Sequence, residues 1–162
     1  MADRKKLTPQ QALQRIYKYC AYQERSHHQV REKLYSFGLW KAEVDELITR
    51  LITDGFLNEQ RFAIAFAGGK FRMKKWGRLK VIRELEAQGV TTNCIKAALK
   101  QIDEGDYRSM LRGLAEKKML TITDANPFVK RDKVARFLIS KGYEPDLVWG
   151  MLKEMDVGHT SE

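Results

Sequence analysis

A run of basic side chains near the middle of the chain has the most obvious chemistry. Seven lysines and arginines occur between positions 70 and 83 without an acidic residue, and Phe71 and Trp76 are interleaved with them. Arginine can grip a phosphate or carboxylate through two hydrogen bonds, and lysine adds point charge. Because such like charges repel unless an anion neutralises them, we predict that this basic segment (residues 70–83) binds an anionic partner. Its candidate contact residues are Lys70, Arg72, Lys74, Lys75, Trp76, Arg78, Lys80 and Arg83.

The basic segment also has an ordinary structural interpretation, a solvated connection between helices. In that case Phe71 and Trp76 simply pack on the core, where aromatic residues usually lie. A second group of cations further along the chain is diluted by Asp132, which favours a solvated helix face there. This second basic group consists of Lys130, Arg131, Lys133 and Arg136.

The residues that usually carry catalysis or bind metals lack the necessary spacing. His27 and His28 are adjacent and would point to different sides of a helix. Cys20 and Cys94 have neither CxxC spacing nor a nearby histidine, and free buried thiols in a reducing cytosol are the simplest interpretation. Residues 68–70, Gly-Gly-Lys, lack the full phosphate-loop pattern. We therefore expect a binding protein rather than an enzyme, without a metal, nucleotide or organic cofactor.

Three copies of one short pattern organise the elements around the basic segment. In each copy a valine is followed by a leucine four residues on and a glycine four residues further, and the copies lie 51 and 53 residues apart. An apolar pair at this spacing followed by glycine is typical of an amphipathic helix with a glycine C-cap. The copies are Val30, Leu34 and Gly38; Val81, Leu85 and Gly89; and Val134, Leu138 and Gly142.

A second amphipathic helix follows each of these glycines in the same register. A β-branched residue occurs six positions after each glycine, as Val44, Ile95 and Val148, and more apolar residues follow at helical spacing. A fixed period of this length indicates tandem structural units. We therefore predict an all-α fold of three tandem three-helix repeats, residues 8–54, 55–104 and 105–156, forming an elongated, curved body.

Polar residues and prolines predict where several helices begin. Thr8 before Pro9, Ser26, Asn58, and Asn126 before Pro127 are each expected to cap a helix. Glycine weakens helices, so Gly-Gly at positions 68–69 is expected to weaken the helix after Asn58 or to mark its end.

The composition indicates a globular chain with an anionic partner. Of 162 residues, 43% are hydrophobic and 31% are charged, and the formal net charge is +9. Residues 55–104 contribute most of the excess, with ten basic and five acidic side chains. Nucleic acid, an acidic protein face or a membrane surface would suit this charge. The first ten residues lack the apolar run of a signal peptide, and no stretch approaches membrane-spanning length.

Several short motifs together resemble the RecX family of recombination regulators. The first is Arg25-Ser26 followed by Val30 and Lys33-Leu34. The densest match begins with the run 55–63, GFLNEQRFA, and continues through Gly77, Arg83-Glu84-Leu85 and Gly89-Val90. The resemblance extends from about position 12 to position 155. This sequence differs from the family pattern at Asn58, where the family often has an acidic residue, but either side chain can cap a helix.

The resemblance implies both a fold and a role. Members of this family are built from tandem three-helix repeats, in agreement with the periodicity above. They are cytoplasmic bacterial proteins that bind the RecA recombinase, lodge in the groove of the RecA–DNA filament, and limit strand exchange and coprotease activity. Some also bind DNA. The resemblance thus implies a part in homologous recombination, DNA repair and the SOS response, with RecA and its filament as partners of a monomer.

Two hypotheses from different classes follow from the sequence. One is a protein that modulates a recombinase filament. The other is a helical module that binds single- or double-stranded DNA directly, because compact three-helix units also resemble helix-turn-helix domains. Binding to RecA filaments, to free RecA and to bare DNA at several salt concentrations would distinguish them.

Overall fold

Nine α-helices make up most of residues 6–159, the part of the chain that the computed structural model describes, with side chains described as far as position 156. The helices are α1 (Pro9–Tyr22), α2 (His27–Ser36), α3 (Lys41–Thr53), α4 (Glu59–Gly69), α5 (Arg78–Ala87), α6 (Thr92–Lys100), α7 (Glu104–Thr121), α8 (Pro127–Ser140) and α9 (Pro145–His159). A π-helical stretch between α4 and α5, Lys70–Lys74, is called the π-turn below. Residues 6–159 contain no β-strand, so the predicted all-α fold is confirmed.

Short polar residues start the helices where the sequence predicts. Thr8 and Ser26 each form a capping box with the glutamine three residues further on. Asn58 caps α4 by accepting a 2.8 Å hydrogen bond from the third amide beyond it. Asn126 caps α8 in a similar way, and Pro127 is the first residue of that helix. The starts of these four helices are therefore determined by local sequence.

The repeated valine–leucine–glycine pattern forms the buried face and the end of three helices. All six of its apolar side chains are fully buried. The three glycines, Gly38, Gly89 and Gly142, have φ values of +84°, +75° and +101°, which side chains with a Cβ rarely adopt. The amide after Gly89 donates to the Leu85 carbonyl at 3.1 Å, as expected at a glycine-capped helix end. The predicted helix ends are confirmed.

The chain folds into two compact units. Among the described residues, unit 1 comprises 6–66 and 85–98, and unit 2 comprises 67–84 and 99–159. The boundaries between the units fall inside α4, α5 and α6. The middle predicted repeat, residues 55–104, thus contributes to both units. The three repeat boundaries, 8–54, 55–104 and 105–156, stay a prediction.

Unit 1 has an aliphatic core with a few buried polar groups. The Ser26 hydroxyl is fully buried and donates a 2.8 Å hydrogen bond to Gln88. Cys20 is a free thiol whose pKa is raised by burial. Cys94 is also free but only half-buried, and its thiol donates to Glu59 at 3.4 Å. The core consists of Ala12, Ile16, Cys20, Val30, Leu34, Leu39, Val44, Leu47, Ile48, Leu51 and Leu57.

Unit 2 has buried aromatic rings beneath the basic segment. Tyr107 and Tyr143 are fully buried, and their ring centroids lie 5.2 Å apart. Phe71 stacks on Tyr107 at 5.9 Å. Aromatic pairs at such distances add stability beyond the area that they bury. The basic segment therefore packs on Tyr107 of α7 and on Tyr143, which lies between α8 and α9.

Candidate anion-binding surface

The backbone of the basic segment begins with a widened helical turn. The chain leaves α4 at Gly69 and continues as the π-turn, so the expected weakening of the helix at Gly68 and Gly69 takes this form. The Lys75 amide donates to the Lys70 carbonyl five residues back, which is the π-helical pattern. Among the described residues other than glycine, only Lys75 has a positive φ, +59° with ψ +36°. Single π-turns are rare and occur frequently at functional sites.

Residues 72–74, called the tip of the basic segment below, are exposed to solvent. Arg72 and Lys74 are exposed, and Met73 between them is 81% exposed. Arg83 is exposed on α5. A Cβ on Gly68 would lie 2.8 Å from Nη1 of Arg72, so the guanidinium lies directly against the helix backbone at that glycine. These three cations are the ones most accessible to an anionic partner.

Trp76 lies close to two of the remaining cations. The Nζ atoms of Lys70 and Lys80 lie 5.1 Å and 4.7 Å from the centroid of its ring, and all three side chains are half-buried. Ammonium groups at such distances are attracted to the face of an indole. Lys75 is also half-buried. The indole ring therefore gathers two of the candidate lysines in one place.

Arg78 has a different environment from its neighbours in the sequence. Its guanidinium donates to Glu144 at 2.8 Å and to Glu104, and it lies 3.7 Å from the ring centroid of Tyr107. Burial disfavours the charged form, but the hydrogen bond and charge of Glu144 and the hydrogen bond to Glu104 outweigh it and raise the pKa of Arg78. Its charge is already neutralised within unit 2 by Glu104 and Glu144.

Two buried tyrosines complete this arrangement. The Tyr107 hydroxyl donates to Glu144 and accepts from the Arg78 amide at 3.1 Å. Burial, reinforced by that hydrogen bond to Glu144, raises the pKa of Tyr107 well above its ordinary value. Burial also raises the pKa of Tyr143, with a smaller contribution from the charge of Glu144. Both phenols therefore stay protonated and can donate hydrogen bonds.

The start of α5 is fixed against the end of α8. The Gly77 amide donates to the Lys141 carbonyl at 2.8 Å, and the Leu79 amide donates to the Gly142 carbonyl at 2.9 Å. A Cβ on Gly77 would lie 2.4 Å from the Gly142 carbonyl carbon and the Tyr143 nitrogen, so only glycine allows this approach. With the Arg78 amide also occupied, three successive amides at the start of α5 have partners within unit 2.

The sequence predicts the cations of this surface but not the residues that hold it. Nothing in the sequence singles out Tyr107, Tyr143 and Glu144 as partners of the basic segment, because they lie far away from it in the chain. Tyr107 and Glu144 are 29 and 66 positions from Arg78. The only available signal was glycine at positions 77 and 142, which indicates a close backbone approach without naming the partner.

The second basic group is largely neutralised by nearby carboxylates. Arg131 pairs with Asp156, and Lys133 pairs with Asp124. Arg136 pairs with Asp132 at 3.0 Å within α8. These ion pairs agree with the interpretation of that group as a solvated helix face.

Metal-binding clusters are absent from the described part of the chain, where no three histidine, cysteine or acidic side chains are grouped suitably. His28 instead lies 3.6 Å from Glu32 one helical turn away. Across residues 6–159, no helix combines the length and apolar character needed to span a bilayer.

Two models of one protein family match this chain. Residues 58–99 match the model described as "RecX, second three-helix domain", and residues 106–152 match "RecX, third three-helix domain". Regulatory protein RecX of Clostridium botulinum (strain Eklund 17B / Type B) is 30% identical over 132 residues, which cover 80% of this chain and 61% of that protein. Regulatory protein RecX of Geobacillus kaustophilus (strain HTA426) is 26% identical over 94% of this chain and 55% of its own length.

A solved structure supports the same fold. The crystal structure of RecX from Lactobacillus salivarius superposes with a TM-score of 0.83 and 21% identity, covering 92% of this chain and 97% of that one. At this level of identity the likeness concerns the fold alone. The chain spans a little over half the length of the two curated relatives above.

Proposed function

Because this chain belongs to the RecX family, we propose that it is a regulatory protein that binds RecA and RecA–DNA filaments. On this proposal it modulates their recombinase and coprotease activities, mainly by inhibition. The names of its relatives, regulatory protein RecX, support a regulatory role. The motif resemblance described above supports RecA as the partner.

The observation that carries this proposal is the exposure of the basic segment. Arg72 and Lys74 project from the π-turn, and Arg83 projects from α5. The run contains no acid, and Arg78 is the member whose charge is taken up by Glu104 and Glu144. An accessible cluster of this kind suits the phosphates of filament-bound DNA or the carboxylates of a recombinase surface.

Regulation then requires a difference in affinity between states of the filament. A ligand that binds two states equally shifts nothing, whatever its affinity. If the basic segment makes more contacts with an altered or shortened filament, binding moves RecA toward that state and reduces strand exchange. The protein needs no nucleotide or catalytic group for this role, so we propose a cytoplasmic, non-enzymatic monomer.

The test is a pair of charge reversals. Arg72→Glu with Lys74→Glu places two repulsive charges at the tip of the basic segment, so inhibition of RecA strand exchange should fall sharply. Lys117→Glu with Lys118→Glu makes the same change in charge on α7, outside the segment. If the tip variant inhibits as well as the unmodified protein, the contact role of the segment is wrong.

Direct DNA binding is the alternative that the same experiment decides. The affinity of the tip variant is measured for RecA filaments, for free RecA and for bare DNA of the same sequence as the filament DNA. A loss of bare-DNA binding that accounts for the whole loss of inhibition favours the DNA-binding module. If the unmodified protein and the tip variant both bind bare DNA weakly, and only the affinity for filaments falls, the filament modulator is favoured.

A further inference from the structure

Lys75 has the most unusual backbone conformation in the basic segment. Its φ of +59° and ψ of +36° lie in the left-handed region, which few residues other than glycine occupy. Such a conformation persists where the surrounding structure determines it. The Lys75 carbonyl accepts a 3.0 Å hydrogen bond from the hydroxyl of Tyr143.

Tyr143 is itself rigidly held. Its side chain is fully buried, and its ring packs 5.2 Å from that of Tyr107. It directly follows Gly142, whose carbonyl accepts from the Leu79 amide. The hydroxyl therefore reaches Lys75 from a fixed base and not from a mobile side chain.

The direction of the chain at Lys75 decides where its neighbours point. Lys74 precedes the left-handed residue and is exposed, whereas Trp76 follows it and is half-buried near Lys70 and Lys80. The Lys141 ammonium adds a 3.4 Å contact to the Lys74 carbonyl. A change in the backbone at this point would move the exposed lysine and the indole together.

We propose that Tyr143 is a positioning residue for the basic segment, holding the Lys74–Trp76 turn in the conformation on which its contact surface depends. This inference rests on the proposed function for the role of the surface. The positioning itself concerns the backbone and can be measured without a partner.

The first experiment compares amide hydrogen exchange in Tyr143→Phe and in the unmodified protein. The change keeps the ring and removes only the hydroxyl, so the amides of Lys75 and Trp76 should exchange about fivefold faster, the factor that one net hydrogen bond supplies. Tyr17→Phe removes a hydroxyl that donates to Asp54 in unit 1, and it should leave exchange at Lys75 and Trp76 unchanged. Unchanged exchange at both amides in Tyr143→Phe would overturn the proposal.

A rescue variant separates positioning from general stability. Asparagine occupies the left-handed region far more readily than most residues. In the Tyr143→Phe background, Lys75→Asn should therefore slow exchange at Trp76 relative to Lys75→Gln. Equal exchange in these two double variants would mean that the turn conformation is not what the hydroxyl holds.

The second experiment is a binding cycle on RecA filaments formed on oligodeoxythymidine. Tyr143→Phe should weaken binding by about fivefold, but it should add little in a Lys74→Gln, Lys75→Gln background, because the positioned charges are already gone. If the losses of affinity from Tyr143→Phe and from the two lysine substitutions multiply, the link between the turn and the surface is wrong. It is also wrong if Tyr143→Phe accelerates exchange but leaves filament binding unchanged. If the tip charge reversal also leaves binding unchanged, the proposed function fails, and the exchange result still decides the role of Tyr143 in the turn.

Discussion

At the scale of single residues, Arg78 and Arg83 acquire different roles although they belong to one basic run. Arg83 is exposed, whereas Arg78 lies between Glu104 and Glu144 with its guanidinium over Tyr107. Burying a charge is costly unless partners and hydrogen bonds compensate it. Two carboxylates supply that compensation, so Arg78 contributes to the folding of unit 2 more than to its surface charge.

This difference predicts unequal losses of stability. Arg78→Met should lower the free energy of unfolding by about 2 kcal/mol, because it leaves the carboxylates of Glu104 and Glu144 without their guanidinium partner. Arg83→Met should change it by less than about 0.5 kcal/mol, as exposed substitutions usually do. Urea unfolding followed by circular dichroism measures both. Equal stabilities for the two variants would contradict the structural role of Arg78.

Gly77 gives a second prediction that depends on a single atom. A Cβ there would lie 2.4 Å from backbone atoms of Gly142 and Tyr143, and a backbone cannot swing aside as a side chain can. Gly77→Ala should therefore cost several kcal/mol, more than about 3, or prevent unit 2 from folding.

The control for this change lies eight residues earlier. Gly69 has helical φ and ψ, −63° and −47°, and a Cβ there meets no atom within 4 Å. Gly69→Ala should be neutral or stabilise the protein by up to about 1 kcal/mol, since alanine favours the helix. Thermal unfolding of Gly77→Ala and Gly69→Ala measures how the same added methyl group changes stability at a crowded site and at an open one.

At the scale of elements, what the sequence predicts well is what neighbouring residues determine. The capping residues Thr8, Ser26, Asn58 and Asn126 act within three positions of themselves, so their helices begin as expected. The π-turn was not predicted, because Gly68 and Gly69 indicate only a weak helix and not a hydrogen bond to the fifth residue. The docking of α5 on α8 was not predicted either, since it joins Gly77 to Gly142 across the two intervening helices, α6 and α7.

The repeated pattern predicts the cost of truncating its leucines. Leu85 is fully buried, so Leu85→Ala should lower the free energy of unfolding by about 2–5 kcal/mol through lost burial and the cavity left behind. Leu120 is 88% exposed, and Leu120→Ala should change it by less than about 0.5 kcal/mol. Chemical denaturation distinguishes them. A loss below about half a kcal/mol at Leu85 would contradict its place in the core.

At the scale of the whole molecule, the net charge of +9 and the basic segment are two features of the sequence that predict different properties. The total charge favours an anionic partner, and the spacing of cations between positions 70 and 83 predicts the candidate surface. Which cations are accessible depends on Glu104 and Glu144, which no local pattern connects to the run. The sequence therefore predicts the surface as a segment, and the structure divides it into exposed cations and an anchored arginine.

That division predicts how binding to a RecA filament on single-stranded DNA depends on salt. If Arg72, Lys74 and Arg83 each contact one phosphate, the logarithm of the association constant should fall with the logarithm of salt concentration at a slope of about −2. Affinity would then fall about 20-fold between 50 and 200 mM salt. Contacts with recombinase carboxylates would release no condensed counterions, and the dependence would be shallower.

Neutral substitutions then assign the slope to residues. Lys74→Gln should make it shallower by about 0.7, the share of one phosphate contact on single strands, and Arg72→Gln should do the same. Arg78→Met should leave the slope unchanged even if it lowers affinity, because Glu104 and Glu144 already neutralise that guanidinium. A slope that changes with Arg78 but not with Lys74 would mean that the anchored arginine, and not the exposed tip of the π-turn, meets the phosphates.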